Sequence, residues 1–340
     1  MHVMNAPLPL TVIIPVRNGE KTVAQCLSSV FQSDARPSQV ILVDDGSTDR
    51  SAQIASAFPC EIIRLPTSRG AAAARNAGAR AAQNENLFFL DADIVVKPDA
   101  LARIAAILQE RPDLSAVFGS YQKDTVPKNF VSNYKNLLHH YTHQISAPDA
   151  ATFCGGFGAV RSSVFSAMNG FDETQRALED IELGYRMHRA GYRILLDKTL
   201  QFTHAKKYSL VSLIKSDVFN RSIPWTKLML RQHIFRNDLN TKTNNILSVV
   251  LAWLIAVMAL LVPLTPIAAI GWAAAAVPFV ILNIPFYAFV FRERGIFFTL
   301  GTVVMNWFNY LYSGIGLLMG LVEYLVEGSQ KWLSERAHST

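Results

Sequence analysis

Cysteine is scarce in this chain. The sequence holds three cysteines among 340 residues, Cys26, Cys60 and Cys154, and it contains no C-x-x-C pair. An odd number of widely spaced cysteines fits neither a disulfide framework nor a zinc site. The sequence therefore predicts reduced thiols in a cytosolic compartment, where these residues serve as small apolar side chains.

We also find no typical secretory leader, internal repeats or low-complexity linkers in the sequence. Residues 1–10 form only a short segment, which is interrupted by Pro7 and Pro9. Such a segment is not typical of a signal peptide. We therefore expect the large N-terminal part of the chain to stay in the cytoplasm.

The net charge of +6 is concentrated in one segment. Residues 1–205 contain 20 basic and 20 acidic side chains, and residues 246–340 contain four of each, whereas residues 206–245 contain eight basic and two acidic ones. No basic stripe with interleaved aromatic residues occurs elsewhere, which argues against a nucleic-acid partner. A basic segment beside an apolar run is typical of contact with anionic lipid, so we interpret 206–245 as a juxtamembrane and acceptor segment.

Long apolar runs are confined to the last third of the chain. Residues 246–264, 267–291 and 296–321 carry almost no charge. Each run is long enough to cross about 30 Å of hydrocarbon. Soluble domains seldom string three such runs together. The sequence thus predicts three transmembrane helices within 246–325, and hence a multi-pass membrane protein, with a tail over 326–340.

Basic residues beside these runs set the expected orientation. Lys227, Arg231, Arg236 and Lys242 precede the first run, and the positive-inside rule places them in the cytoplasm. The loop 292–295 then returns to the cytoplasm, and the third helix leaves the C-terminal tail outside.

The first 205 residues alternate short β-branched runs with helical stretches. Strands are predicted at 11–16, 40–43, 61–65, 87–90 and 116–121, and helices at 22–31, 48–58, 71–83, 99–110 and 130–144, with Asp99 capping its helix. Such alternation predicts crossover units and a mainly parallel sheet, whose strands end at one shared edge. We therefore predict an α/β catalytic domain over 1–205.

An acidic D-x-D pair, Asp91 and Asp93, follows the apolar residues 87–90. About 0.7 such pairs are expected by chance in a chain with this aspartate content, so the position of the pair matters more than the motif. If the extended geometry continues through Ala92, both carboxylates share one face at the end of a buried strand. They can then converge on a divalent cation.

The ends of the neighbouring strands carry related chemistry. The candidate residues there are Pro15, Val16, Arg17 and Glu20, then Asp44 and Asp45, then Gly70 and Arg75. Each group alone can be a turn, a helix cap or an exposed helix residue. At one sheet edge, however, carboxylates can accept hydrogen bonds from a base and a ribose, while arginines and a metal neutralise a diphosphate. The set therefore indicates a nucleotide-diphosphate pocket.

Taken in order, these motifs resemble those of the family 2 glycosyltransferases, which have the GT-A fold. The resemblance covers residues 10–205 and rests on V-I-I-P-V-R-N-G-E, V-D-D-G-S-T-D, R-G-A-A-A-A-R-N-A-G, F-L-D-A-D, G-G-F-G, G-F-D-E and E-D-I-E-L-G-Y-R. It implies a mixed, mainly parallel sheet, a nucleotide-diphosphate sugar as donor, a Mg²⁺ or Mn²⁺ ion, and inversion at the anomeric carbon.

The same resemblance implies roles for residues on the donor side. Pro15, Val16 and Asp44 would frame the nucleobase, and Arg75 would lie near the diphosphate. In the D-x-D element, Asp91 would face the ribose and donor sugar together with Ala92. Asp93 would ligate the metal, with His204 as a candidate third ligand.

On the acceptor side, the resemblance singles out the E-D pair Glu179 and Asp180, with Asp180 as general base. The alternative is a carboxylate at a helix N-terminus that only interacts with the helix dipole, worth about 0.3 to 1 kcal/mol. Gly155 and Gly156 would let the backbone approach the sugar and the acceptor.

Departures from the family's motifs narrow the range of possible acceptor molecules. Processive members carry Q-x-x-R-W, whereas this chain keeps Trp225 but has Pro224 in place of the arginine, so processive synthesis is disfavoured. Because polyprenyl phosphate needs no base, the E-D pair favours a hydroxyl acceptor, with a polyprenyl-phosphate sugar synthase as the alternative. A lipid or lipid-linked glycan at the cytoplasmic membrane face suits a site beside Trp225.

Two other classes of protein stay open as alternatives. A membrane-anchored, nucleotide-binding oxidoreductase would need G-x-G-x-x-G after the first strand, where R-N-G-E stands instead. A transport or scaffold protein would bind a nucleotide without turning it over.

Overall fold

The computed structural model describes residues 6–232 and 243–337, with side chains up to residue 330. The chain divides into two compact units, Met1–Lys207 and Tyr208–Thr340. The division falls two residues beyond the boundary predicted at 205. Arg236 and Lys242 of the predicted juxtamembrane segment lie outside the described residues.

The first unit is built on one mixed sheet. Its strands are β1 (Leu8–Val16), β2 (Pro37–Asp44), β3 (Glu61–Arg64), β4 (Asn86–Leu90), β5 (Ile94–Val95), β6 (Ala116–Tyr121), β7 (Asp149–Ala150), β8 (Phe157–Arg161) and β9 (Ile194–His204). Their order is β3-β2-β1-β4-β8-β6-β9-β5, with β7 paired to β9. The predicted α/β class with a mixed, mostly parallel sheet is confirmed.

The parallel half of the sheet explains why the candidate residues gather at one edge. Strands β3, β2, β1 and β4 are mutually parallel, and the register pairs Val16 with Asp44 and Asp44 with Arg64. Strand β8 then runs antiparallel to β4, with Phe157 opposite Leu90. The loop before β8 therefore meets the loop after β4 at the same edge.

Helices cover both faces of this sheet. They are α1 (Val23–Phe31), α2 (Ser51–Ala55), α3 (Ala71–Ala81), α4 (Ala100–Glu110), α5 (Phe130–Gln144), α6 (Ser162–Ala167) and α7 (Glu179–Arg189). Phe88 and Phe89 on β4 are both fully buried, and they belong to the two different core layers. Successive strand residues point to opposite faces, so each layer gains one buried ring worth about 1.5 to 3 kcal/mol.

Two helix starts differ from the prediction. Helix α2 begins at Ser51 rather than near Thr48, because the Asp49 carboxylate accepts from the Ser51 amide and Thr48 donates to Asn18 in a turn. Asp99 does stand at the N-cap of α4 but makes no side-chain capping bond. Its carboxylate lies 3.7 Å from Arg103 instead.

The second unit is helical. Its elements are α8 (Leu210–Asp217), a π-helical turn (Val218–Ser222), α9 (Ile223–Gln232), α10 (Thr243–Leu261) and α11 (Ile267–Ala337). Gly295, with φ 77° and ψ −178°, breaks α11 into two helical segments, 267–294 and 296–337. By length and composition, α10 and α11 are each able to cross a membrane. The predicted tail at 326 begins inside the second segment.

Candidate active site

The D-x-D element lies in a turn and not in the strand. The Ile94 amide donates to the Asp91 carbonyl at 3.0 Å, and β5 begins at Ile94. The backbone is therefore not extended through Ala92, so the condition under which both carboxylates were expected to share one face is not met. In this turn Asp91 pairs with Arg75 and Asp93 pairs with His204.

Asp93 is paired with His204 by the sheet. Strand β5 runs antiparallel to β9 with Ile94 opposite His204, and the Ala205 amide donates to the Asp93 carbonyl at 2.7 Å. This register places His204 Nε2 3.5 Å from Asp93 Oδ1. Although burial acts in the opposite direction, the hydrogen bond and charge of His204 hold the pKa of Asp93 below its usual range.

The pair fits a divalent cation that is also bound by phosphate. One carboxylate oxygen and one imidazole nitrogen are suitable ligands, and diphosphate oxygens can complete the shell. Within residues 6–232 and 243–330, no group of three or more His, Cys, Asp or Glu side chains is arranged to hold a metal by itself. The protein thus offers two ligands here, Asp93 and His204.

Asp91 is joined to the E-D pair through a buried arginine. The Arg75 guanidinium donates to Asp91 Oδ1 at 2.7 Å and to Glu179 Oε1 at 2.5 Å. Arg75 is 4% exposed, and its Nε has no hydrogen-bond partner. These ion pairs raise the pKa of the guanidinium against the effect of burial. Arg75, predicted near a diphosphate, is thus already engaged by two carboxylates.

Asp180 lies in the first turn of α7, next to Glu179. The Gly155 amide donates to Asp180 Oδ2 at 2.9 Å, and the Ile181 amide donates to Oδ1 at 2.8 Å. Burial and then the Glu179 charge raise the pKa of Asp180 to about 6, while Arg75 acts to lower it. A carboxylate with such a pKa is suited to accept a proton near neutral pH.

Gly155 and Gly156 allow these carboxylates to approach the backbone. A Cβ on Gly156 would lie 2.7 Å from Asp91 Oδ2, and one on Gly155 would lie 3.1 Å from the Asp180 Cβ. The Asp91 amide also donates to the Gly156 carbonyl at 2.9 Å. These two glycines, predicted to let the backbone approach the sugar and the acceptor, also leave room for Asp91 and Asp180.

Asp44 and Asp45 have different surroundings. Asp44 Oδ1 accepts from the Ser47 amide at 2.9 Å. The Asp45 carboxylate accepts from the Ser68 hydroxyl and from the amides of Arg69 and Gly70, at 2.7 to 3.0 Å. Asp45 therefore holds the loop that carries Gly70, a role that its place in the D-D-G-S motif did not reveal.

The residues around the end of β1 are divided between core and surface. The Val16 side chain is 3% exposed and lies in the core, so only its backbone can face a nucleobase. Pro15 is half-buried and Arg17 is exposed. Glu20 pairs with Arg50 at 3.4 Å.

Four polar residues outside the predicted site set connect this loop to the next one, namely Asn18, Ser47, Asp49 and Ser51. Asn18 and Gly19 donate their amides to the hydroxyls of Ser47 and Ser51, and Glu20 donates its amide to Asp49. Asn18 adopts a φ of 52° in this network. The signal was available in the run of Ser, Thr and Asp after β2.

Two further site residues complete the set. Ala92 is half-buried in the D-x-D turn and packs against the core. Trp225, the predicted acceptor residue, lies in α9 of the second unit.

The mixed, mostly parallel α/β sheet of the first unit is that of the GT-A fold. Residues 11–168 match the family described as Glycosyl transferase family 2. The matched range contains Asp91 and Asp93 and ends before Glu179 and Asp180.

Relatives and a solved structure agree with this class. An "Uncharacterized glycosyltransferase" of Haemophilus influenzae is 27% identical over 183 residues, 51% of this chain and 60% of that protein. The pre-mycofactocin glycosyltransferase of Mycobacterium tuberculosis is 28% identical over 226 residues, 62% of this chain and 45% of that protein. The chain thus spans about half the length of these relatives.

The mannosyltransferase PcManGT from Pyrobaculum calidifontis was solved with GDP-Man and Mn²⁺. It superposes with a TM-score of 0.57 at 20% identity, covering 92% of this chain and 89% of that one. At this level of identity the likeness demonstrates a shared fold.

Proposed function

We propose that the protein is an inverting, metal-dependent glycosyltransferase that moves a sugar from a nucleotide-diphosphate donor to a hydroxyl acceptor. One observation carries the proposal: the D-x-D carboxylates separate, one toward His204 and the other toward the Arg75–Glu179 pair beside Asp180. Through Asp93 the D-x-D element thus contributes to the proposed metal-binding pair. Through Asp91 and Arg75 the same element is connected to Glu179, beside the proposed base Asp180.

On the donor side, Asp93 and His204 would hold Mg²⁺ or Mn²⁺. When bound, the ion supplies positive charge that stabilises the departing diphosphate. The Asp91 side chain is 40% exposed and is proposed to accept hydrogen bonds from ribose or sugar hydroxyls. Asp44, with Pro15 and the Val16 backbone, is proposed to frame the base.

On the acceptor side, Asp180 takes the proton from the attacking hydroxyl. The new bond joins the acceptor oxygen to the anomeric carbon while the bond from that carbon to the diphosphate oxygen breaks, and its electron pair leaves with the diphosphate. Attack from the face opposite the leaving group inverts the carbon. The two amides that bind the Asp180 carboxylate, from Gly155 and Ile181, orient it for this step.

We infer that the acceptor is a lipid or lipid-linked glycan at the cytoplasmic membrane face. Two features support this inference, the apolar helices α10 and α11 and the basic residues between 206 and 245. Trp225, in α9 of the second unit, is the proposed acceptor contact. Polyprenyl phosphate is the weaker candidate, because an ionised phosphate requires no base such as Asp180.

A donor screen tests the proposal. The full-length protein in detergent is incubated with a panel of nucleotide sugars, Mg²⁺ or Mn²⁺, and a lipid extract, and release of nucleoside diphosphate is measured. Asp93→Asn and Asp180→Asn should each abolish release, whereas Glu110→Gln, an exposed acid on α4, should not. Failure of every donor would refute transfer, and hydride transfer to a nicotinamide probe would favour the oxidoreductase alternative.

A further inference from the structure

The R-N pair of α3 and the G-F-D-E motif meet inside the first unit. Asn76 follows Arg75 on α3 and is 7% exposed. Its side-chain amide donates to the Phe171 carbonyl at 2.8 Å, and its side-chain oxygen accepts from the Phe171 amide at 2.9 Å. Buried backbone groups are costly when they lack a partner, and here one side chain satisfies both groups of Phe171. Asn76 thus fixes the position of Phe171 beside α3.

Gly170 allows this approach. Its φ of 66° lies in the left-handed region, and a Cβ at this position would lie 2.7 Å from Asn76 Oδ1. The Asn76 side-chain amide also donates to Glu173 at 3.1 Å. The glycine and the glutamate of the G-F-D-E motif therefore both serve the contact between this loop and α3.

The ring of Phe171 lies against Arg75. The Arg75 Cζ is 5.6 Å from the ring centroid, and both residues are buried. The same ring packs edge-on against Phe89 of β4, with centroids 5.0 Å apart, and against Phe165 of α6, with centroids 5.2 Å apart. A cation over an aromatic face is attracted most strongly where water is excluded. The apolar core therefore holds a ring face in a fixed position against the guanidinium.

Arg75 has a structural need for this contact. Its Nη1 is bound by Glu179 and its Nη2 by Asp91, whereas its Nε has no hydrogen-bond partner. The hydrogen bonds therefore restrain the two terminal nitrogens, and the ring of Phe171 restrains the centre of the group. Because Asp91 and Glu179 are bound to the same guanidinium, a tilt of that group would displace both carboxylates.

We propose that Phe171 is a positioning residue for sugar transfer: held by Asn76, its ring keeps the Arg75 guanidinium in the orientation that joins Asp91 to Glu179. The inference rests on the proposed function. Phe171 is 2% exposed, so it acts through Arg75 and not by touching the sugar. This role connects the G-F-D-E motif, to which no task had been assigned, with the neighbour of the proposed base.

A matched pair of substitutions tests the proposal in the full-length protein in detergent. Phe171→Leu removes the ring at Arg75, whereas Phe165→Leu makes the same change in a buried ring that packs on Phe171 and Phe89. With UDP- and GDP-linked sugars and Mn²⁺, Phe171→Leu should lower kcat/KM for the donor about tenfold, within the roughly 10²-fold loss that a 1 Å misplacement can cause. Phe165→Leu should change it less than about twofold. Equal losses in the two variants would overturn the proposal.

A second comparison asks whether the ring acts through the arginine. In an Arg75→Gln background the guanidinium is absent, so Phe171→Leu should lower kcat/KM by no more than about twofold further. A further loss of about tenfold would mean that Phe171 acts independently of Arg75, and the proposal would fail.

Thermal unfolding measures the same contact without any donor. The Tm losses of Arg75→Gln and Phe171→Leu should together exceed the loss of the double variant, because the same contact is removed in all three. The losses of Arg75→Gln and Phe165→Leu should simply add. Additive losses for Arg75 and Phe171 would contradict the proposal. Absence of turnover by the wild-type protein with every donor would instead refute the proposed function, so the two failures are distinguishable.

Asn76→Asp tests the arrangement without altering the aromatic core. The new carboxylate keeps the shape of the side chain but cannot donate to the Phe171 carbonyl and faces Glu173. It should lower kcat/KM in the same direction as Phe171→Leu. The control is Asn133→Asp, which loses the bonds from the Asn133 amide to the Pro127 and Asn129 carbonyls and should retain kcat/KM. Equal kcat/KM values for Asn76→Asp and the control would also overturn the proposal.

Discussion

Removal of Arg75 tests the candidate site most directly. Its guanidinium is 4% exposed and bonds Asp91 at 2.7 Å and Glu179 at 2.5 Å. Arg75→Gln leaves both carboxylates without a cation. Breaking a buried ion pair from one side costs about 3 to 5 kcal/mol, and the 40% exposure of the Asp91 side chain places the loss near the lower limit. A loss of about 3 kcal/mol lowers Tm by about 6 to 12 °C in a unit of this size.

The same substitution changes the pH dependence of turnover. Burial and Glu179 raise the pKa of Asp180 to about 6, and Arg75 opposes them. A general base works when it is deprotonated, so activity is present above this pKa and is lost as the pH falls through it. Without the Arg75 charge the pKa of Asp180 rises further, and the acid limb of the kcat profile moves to higher pH.

Two other variants provide the controls for Arg75. Arg80→Gln alters an arginine on the same helix whose side chain is 65% exposed and lies 3.9 Å from Glu173, and it should leave Tm and the pH profile unchanged. Arg75→Lys keeps the charge but cannot reach both carboxylates with a planar fork, so an intermediate effect is expected. These expectations would be refuted if Arg75→Gln kept the wild-type acid limb of the kcat profile and had the same Tm as Arg80→Gln.

Three further predictions concern other residues of the candidate site. Asp180→Asn should lower kcat about 10²- to 10⁴-fold while calorimetry detects unchanged donor binding, and retained turnover would exclude Asp180 as the base. Gly156→Ala brings a Cβ within 2.7 Å of Asp91 Oδ2 and should raise the KM for the donor. A constant KM in steady-state kinetics would disprove this prediction. Asp45→Ala leaves three donors of the 68–70 loop without their acceptor and should cost about 1 to 3 kcal/mol in thermal unfolding; an unaltered Tm would contradict this role.

Local pattern was sufficient for most elements of the first unit. Helix α5 and strand β6 have the predicted bounds, because their apolar periodicity and flanking breakers are local properties of the chain. The two-residue strand β5 was not predicted, since two residues carry no periodicity. Its existence depends on β9, more than a hundred residues later.

The candidate site was predictable as a set of residues and not as a set of contacts. The strand ends identified Asp91, Asp93 and Arg75 because parallel strands share one edge. That Arg75 reaches Glu179, 104 positions away, depends on the antiparallel insertion of β8 and on the loop that precedes α7. No local motif encodes such a pairing.

The long apolar helices of the second unit illustrate the same limit. Hydropathy marks 296–321 as a run that can cross, but it carries no information about what lies beside the run. The close approach of Gly316 and Gly320 to Ser222 and Thr226 is visible only in three dimensions.

The short ladder between β5 and β9 has a thermodynamic consequence for the whole chain. It joins Asp93 to His204, and the first unit ends three residues after His204, at Lys207. Any ligand that bridges Asp93 and His204 therefore stabilises the last strand at the point where the chain leaves the domain. Linkage is reciprocal, so whatever frays or tightens that exit changes the affinity for the ligand by the same factor. Binding of such a ligand and the order of the chain exit after His204 are in this way coupled.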